Sequence, residues 1–172
     1  MSERGVPGRR RQVWTVILVL AAIGVLALAV HECYTIYYAG RHLQDAVDGA
    51  TLAGAMQLAR ALQEPGVGED RIVTDMVRFA RLHGLDDKDL FVGYYLDAEG
   101  HSLGLVGSGI PQEPRGLEPV VSVRVPTFLT RIFDLDGRSL TRQSRISFEV
   151  ENAGDQGAPR VYFDFNIDPI RR

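Results

Sequence analysis

Cysteine occurs once in this chain, at Cys33, so neither an intramolecular disulfide framework nor a thiolate zinc site can be assembled from it. Any disulfide would have to join two chains at Cys33; the alternative is an unpaired, buried thiol. A basic balance is also missing. The net charge is -3 with 24% charged and 45% hydrophobic residues, an ordinary globular composition with no cationic face for nucleic acid.

Motifs that carry chemistry are equally scarce. No Walker loop or dinucleotide fingerprint is present, and Ser108 in Gly107-Ser108-Gly109 lacks the outer glycines of a nucleophile elbow, Val106 and Ile110 standing there instead. A flexible loop is the expectation for it. His42, His83 and His101 show no paired metal spacing. His31, Glu32 and Cys33 are adjacent, so on a helix they diverge by about 100° and are read as interface residues. Asp134-Leu135-Asp136-Gly137 is a fragment of a calcium loop without its remaining ligands, and Asp86-Asp87-Lys88-Asp89 is a solvated turn. The expectation is a non-enzyme with no cofactor, no metal and no small-molecule substrate.

What the chain does contain is one long apolar run. Val13 to Val30 are eighteen residues without a charge, eleven of them Leu, Ile or Val. At 1.5 Å per residue they reach about 27 Å, close to a bilayer's hydrocarbon thickness. The aliphatics contribute about 3 to 7 kcal/mol toward insertion. Trp14 lies near one end and Tyr34, Tyr37 and Tyr38 just past the other, where amphipathic rings settle at lipid-water boundaries. Arg4, Arg9, Arg10 and Arg11 precede the run, whereas Arg41 is the one base within fifteen residues after it, which predicts a cytoplasmic N-terminus. A buried core helix would seldom carry such flanks. A cleaved signal peptide competes through Ala27-Leu28-Ala29, but no helix breaker follows the run, and an uncleaved anchor fits better. The lipobox and prepilin routes fit poorly: Val30-His31-Glu32 before Cys33 lacks small residues, and the fifth residue after Gly5 or Gly8 is Arg10 or Val13, not glutamate.

Proline is absent from Tyr34 to Leu62, so the helix is expected to continue out of the membrane until Gln63-Glu64-Pro65-Gly66. Small and apolar residues form a stripe at Leu43, Ala46, Val47, Ala50, Ala53 and Gly54, extended by Leu58, which lets another element approach closely. This is the candidate helix-packing interface, with intramolecular packing against the protein's own sheet preferred over a contact between chains. A second helix is predicted over Glu69 to His83, capped by Gly84. The pattern then changes to period two. Leu90 to Leu96 and His101 to Val106 read as a hairpin, followed by an exposed loop from Gly107 to Pro119 and strands at Val121 to Val125, Ile146 to Val150 and Val161 to Ile167. In the last strand, Val161, Phe163, Phe165 and Ile167 face one way. Pro126 to Phe133 reads as a short helix, with Phe128, Leu129, Ile132 and Phe133 covering a sheet edge.

The predicted class is α+β: a long N-terminal helix, transmembrane then periplasmic, laid on a small antiparallel sheet with one additional helix. The division is a basic N-terminus over 1–12, a transmembrane helix over 13–33 and a periplasmic domain over 34–172. That outline is similar to pilins and pseudopilins.

The run Leu43-Gln44-Asp45-Ala46-Val47-Asp48-Gly49-Ala50-Thr51-Leu52-Ala53-Gly54-Ala55 resembles the signature of the TadE/TadG-like family, in which a leucine-glutamine pair introduces an aspartate and an alanine-rich segment. Arg11-Gln12 before the span, and Tyr37 and Arg41 after it, are similar to family positions. Arg11 stands where the family has glycine, and Glu32 where it has aspartate. The motif region covers Arg10 to Leu58, about a third of the chain. The resemblance implies a non-catalytic component of tight-adherence (Flp) pilus assembly in the bacterial inner membrane, either a minor pilin-like subunit or a periplasmic scaffold. Its partners would be the lipid bilayer and other pilus-assembly proteins or pilin-like subunits. The alternative is a membrane-tethered periplasmic sensor or ligand-binding domain unrelated to pili.

Overall fold

The computed structural model describes the backbone over residues 7–64, 66–132, 137–151 and 160–164, and the side chains over 12–64, 66–132 and 137–149. Helix α1, Pro7–Gln63, is one uninterrupted rod of 57 residues. At 1.5 Å per residue it is about 85 Å long. Its one proline, Pro7, stands at the first position, where a missing N–H costs nothing, and none follows to break the rod; Gly66, with φ +111°, lies just beyond its end. Helix α2, Glu69–Leu82, starts with Glu69 and Asp70 in its first turn, where carboxylates favour the helix dipole, and stops at His83 and Gly84, whose φ is +92°.

Among the described residues, six strands form one antiparallel sheet. They are β1 Leu90–Leu96, β2 Ser102–Leu105, β3 Gly116–Val125, β4 Arg138–Gln143, β5 Ile146–Glu151 and β6 Arg160–Asp164. The order β2-β1-β3-β5-β6 carries β4 as a further partner of β3. Strand β3 is the spine: one edge pairs with β1, the other first with β5 at Gly116 and Leu117 and then with β4 from Val120 to Val125. A five-residue helix α3, Phe128–Ile132, follows β3.

Two departures from the sequence expectations concern β3 and β4. β3 starts at Gly116, inside the stretch expected to be a loop. Pro119 is tolerated there because its carbonyl accepts from Ser144 N (3.3 Å), so its missing donor faces the β4–β5 turn rather than a ladder partner. β4 was not anticipated at all, since Arg138–Gln143 has an exposed, mostly polar face with no alternation. The residues Phe165 and Ile167 and the Asp134 to Asp136 turn lie outside the described residues, as does the facing of Val161 and Phe163.

The core lies between the second half of α1, α2 and the sheet. Ala55, Leu58, Ile72, Met76, Tyr95, Leu117, Ile146 and Phe148 fill one end, and Leu43, Ala46, Val47, Ala50, Ala80, Leu85 and Val121 the other. Burying each larger aliphatic contributes about 1.5–3 kcal/mol. Gln57 Nε2 donates to Asp75 Oδ2, tying α1 to α2 at the edge of this core.

Candidate functional site

The six stripe residues converge. Leu43, Ala46, Val47, Ala50 and Ala53 are all buried, and a Cβ built on Gly54 would lie 2.6 Å from Met76 Cγ and Sδ and 3.2 Å from Leu117 Cδ1. The stripe is therefore where α1 receives α2 and β3 of the same chain. Small side chains are needed because α2 crosses over them closely; in this structure the intramolecular packing is realised and the stripe is not open to a second chain. The exposed aliphatics on that half of α1 are instead Leu52 and Met56.

The first half of α1 behaves differently. The described helix Gln12–Gln63 is long and apolar enough to cross a membrane, and none of its apolar window is buried by the protein. Val25, Leu20 and Val30 are more than 60% exposed. A core helix would be covered, so the exposure on all sides removes that reading, and the segment is a candidate membrane span.

Between the two halves lies a collar. Tyr34 stacks on Tyr38 with ring centroids 5.6 Å apart, and Tyr38 meets His42 edge-on at 4.6 Å, an i, i+4, i+8 ladder along one side of α1. Glu32, two residues past the apolar run, is only 8% exposed, and its Oε1 accepts from the backbone N of Leu129 at 2.8 Å. A carboxylate at that level is costly unless partnered. α3 supplies the partner, its first turn offering N–H groups that lack intrahelical acceptors. Thr127, itself buried, fixes that turn through its backbone N, which donates to Thr130 Oγ1 (2.8 Å). Nearby, Arg142 of β4 lies over Gly40, with Nη2 3.0 Å from where a Cβ would be.

This arrangement corrects two expectations. α3 forms where the short helix was predicted, but Phe128, Leu129 and Ile132 stay exposed and do not cover a sheet edge, while Phe133 lies outside the described residues. Cys33 is exposed, so a buried thiol is excluded. Of the trio read as interface residues, Glu32 is buried against α3 while His31 and Cys33 are exposed. The role of Glu32 was missed, though a lone acid so close to the end of an apolar run was a signal that it needed a donor.

A second link is Glu69. Its Oε1 accepts from Tyr95 Oη (2.9 Å) and Gly107 N (2.7 Å), and its Oε2 from Gly109 N (2.7 Å). The Gly107-Ser108-Gly109 loop, expected to be flexible, is thus clamped to the start of α2, while Ser108 Oγ donates to Leu105 O. Burial, then the hydrogen bond and charge of Glu69, raise the Tyr95 phenol well above its ordinary value, so the clamp holds a neutral tyrosine.

Clusters of chemical groups are accounted for by turns. Asp97, Glu99 and His101 come within 4.8 Å of one another on the exposed β1–β2 turn. Asp97 Oδ1 accepts from His101 N (2.7 Å) and Oδ2 pairs with His101 Nδ1 (3.3 Å), the bonds of the turn itself. Desolvation alone would raise the Asp97 carboxyl, but the donations from His101 outweigh it and lower it below its ordinary value. A cleft of about 280 Å³ brings His42 and His83 near Asp86, Asp89 and Arg124. Asp89 there accepts from Asp86 N (2.8 Å), closing the turn after α2.

Comparisons with family models, curated proteins and solved structures give no match. The functional reading rests on the chain's own residues.

Proposed function

We propose that this chain is a non-catalytic, membrane-anchored component of tight-adherence (Flp) pilus assembly, a minor pilin-like subunit or scaffold whose N-terminus is cytoplasmic and whose domain faces the periplasm from the inner membrane. The observation that carries the reading is α1: a single helix whose first half is bare and apolar and whose second half is the spine of an α+β domain. Such a rod transmits position from the bilayer to a protein surface without a hinge. The Leu43 to Ala55 run that resembles the TadE/TadG-like signature supports the assignment to pili, and its small residues have a physical use in seating α2. The basic N-terminal cluster supports the orientation.

The test is deletion in a host bearing Flp pili, with complementation. Loss of surface pili, restored by the full chain, is the expected result; unchanged pili and adherence contradict the proposal. Photo-crosslinkers at Leu52 and Met56, exposed on α1 beside the core, should capture named pilus-assembly proteins. A sensor unrelated to pili would leave pili intact and give no such adducts.

A further inference from the structure

Three large apolar side chains of the short helix α3 are about half exposed: Phe128, Leu129 and Ile132, at 47%, 42% and 58%. Their height along α1 is fixed. Leu129 N is bonded to Glu32 Oε1, and Glu32 follows Val30, the last residue of the apolar run, by two positions. Two residues of helix rise about 3 Å. A bilayer of about 40–45 Å with about 30 Å of hydrocarbon leaves an interfacial zone of about 5–8 Å on each side. α3 therefore falls within that zone whenever the apolar run fills the hydrocarbon.

We propose that α3 is a second membrane contact: a one-turn foot whose Phe128, Leu129 and Ile132 enter the headgroup-acyl boundary of the bilayer beside the span. The occupant is lipid because α3 is bonded to α1 at Glu32, two residues past the bare apolar run, and because the exposed Tyr34 lies on α1 two residues further on. The exposed Arg131 between them places a cation at the level of the phosphates. A rod anchored at one point swivels and tilts; a foot beside it fixes which side of the domain faces the membrane. This inference rests on α1 being a span.

The full chain with Cys33→Ser serves as background, since Cys33 is exposed and is the sole cysteine. Single-cysteine variants Leu20→Cys, Ile132→Cys and Leu103→Cys, all at exposed positions, are labelled with an environment-sensitive fluorophore and reconstituted in vesicles of phosphatidylethanolamine and phosphatidylglycerol. Lipids carrying nitroxides at the headgroup or at mid-chain report depth. The expected result is mid-chain quenching at position 20, headgroup-level quenching with a blue shift at position 132, and neither at position 103. Position 132 in water while position 20 is quenched overturns the foot and leaves the span. A blue shift at 132 without lipid quenching means that a protein surface covers α3, and also overturns it. An unquenched position 20 overturns the span and the foot together.

Discussion

The two halves of α1 share a backbone and differ in solvent. Between residues 13 and 30 the helix is apolar all round, and Leu20, at 62% exposure, is no more covered than its neighbours. Between residues 43 and 58 it is apolar on one side only, and Leu58 on that side is fully buried while Met56 stays 47% exposed. The first pattern suits a medium that is apolar in every direction, the second a core on one side and water on the other. The same residue type therefore carries different energetic meaning in each half.

Substitutions paired across the halves test that contrast. Leu58→Ala removes a side chain packed among Ile72, Met76 and Phe148 and should lower the domain's unfolding free energy by about 2–5 kcal/mol, whereas Leu20→Ala should leave it unchanged. Chemical denaturation followed by far-UV dichroism in detergent reads both. Glycine gives a second pair. Gly54→Ala forces a methyl into Met76 and should cost about 1–3 kcal/mol, despite alanine's better helix propensity; at Gly24 nothing lies within 4 Å, and the same change should be neutral or favourable.

A third test concerns the clamp that Glu69 makes on the core residue Tyr95. Because the folded protein holds the Tyr95 proton more tightly than the unfolded chain does, the stability it contributes is complete below the ordinary phenol value near 10.0 and is lost as pH rises above it. The loss is up to about 1.4 kcal/mol per pH unit. Tyr95→Phe should flatten that decline while costing the Glu69 hydrogen bond. The smallest effect is local. Glu32→Ala deprives the Leu129 N–H of its acceptor, with a cost of about 1 kcal/mol confined to α3. Amide exchange at Leu129 should quicken while exchange in β3 does not.

The parts of the fold readable in advance were those written in short-range periodicity. The apolar run and its missing prolines define α1, the Ile72-Met76-Phe79 spacing defines α2, and Asp97 to Gly100 between alternating segments defines the β1–β2 hairpin. β4 escaped because an edge strand with an exposed, polar burial pattern has no alternation to reveal it. The first half of β3 escaped because Gly116 and Pro119 read as loop residues until their partners are known. The stripe from Leu43 to Gly54 was readable as a close-packing surface, and the structure gives it α2 and β3 as partners. The Glu32–Leu129 bond joins residues 97 apart, and no local pattern encodes such a separation. The Glu69 clamp on Gly107 and Gly109, 38 and 40 residues away, was hidden for the same reason.

The central question is whether the bare half of α1 spans the bilayer while the domain stays on one side of it. Protease added to the domain side of sealed vesicles containing the full-length protein, followed by intact-mass measurement of what survives, decides this. The expected result is an uncut chain of full mass before digestion and, after it, a protected fragment that contains Val13 to Val30 and ends within the collar. A starting mass that begins near Val30, or digestion that removes the Val13 to Val30 segment along with the domain, would contradict it.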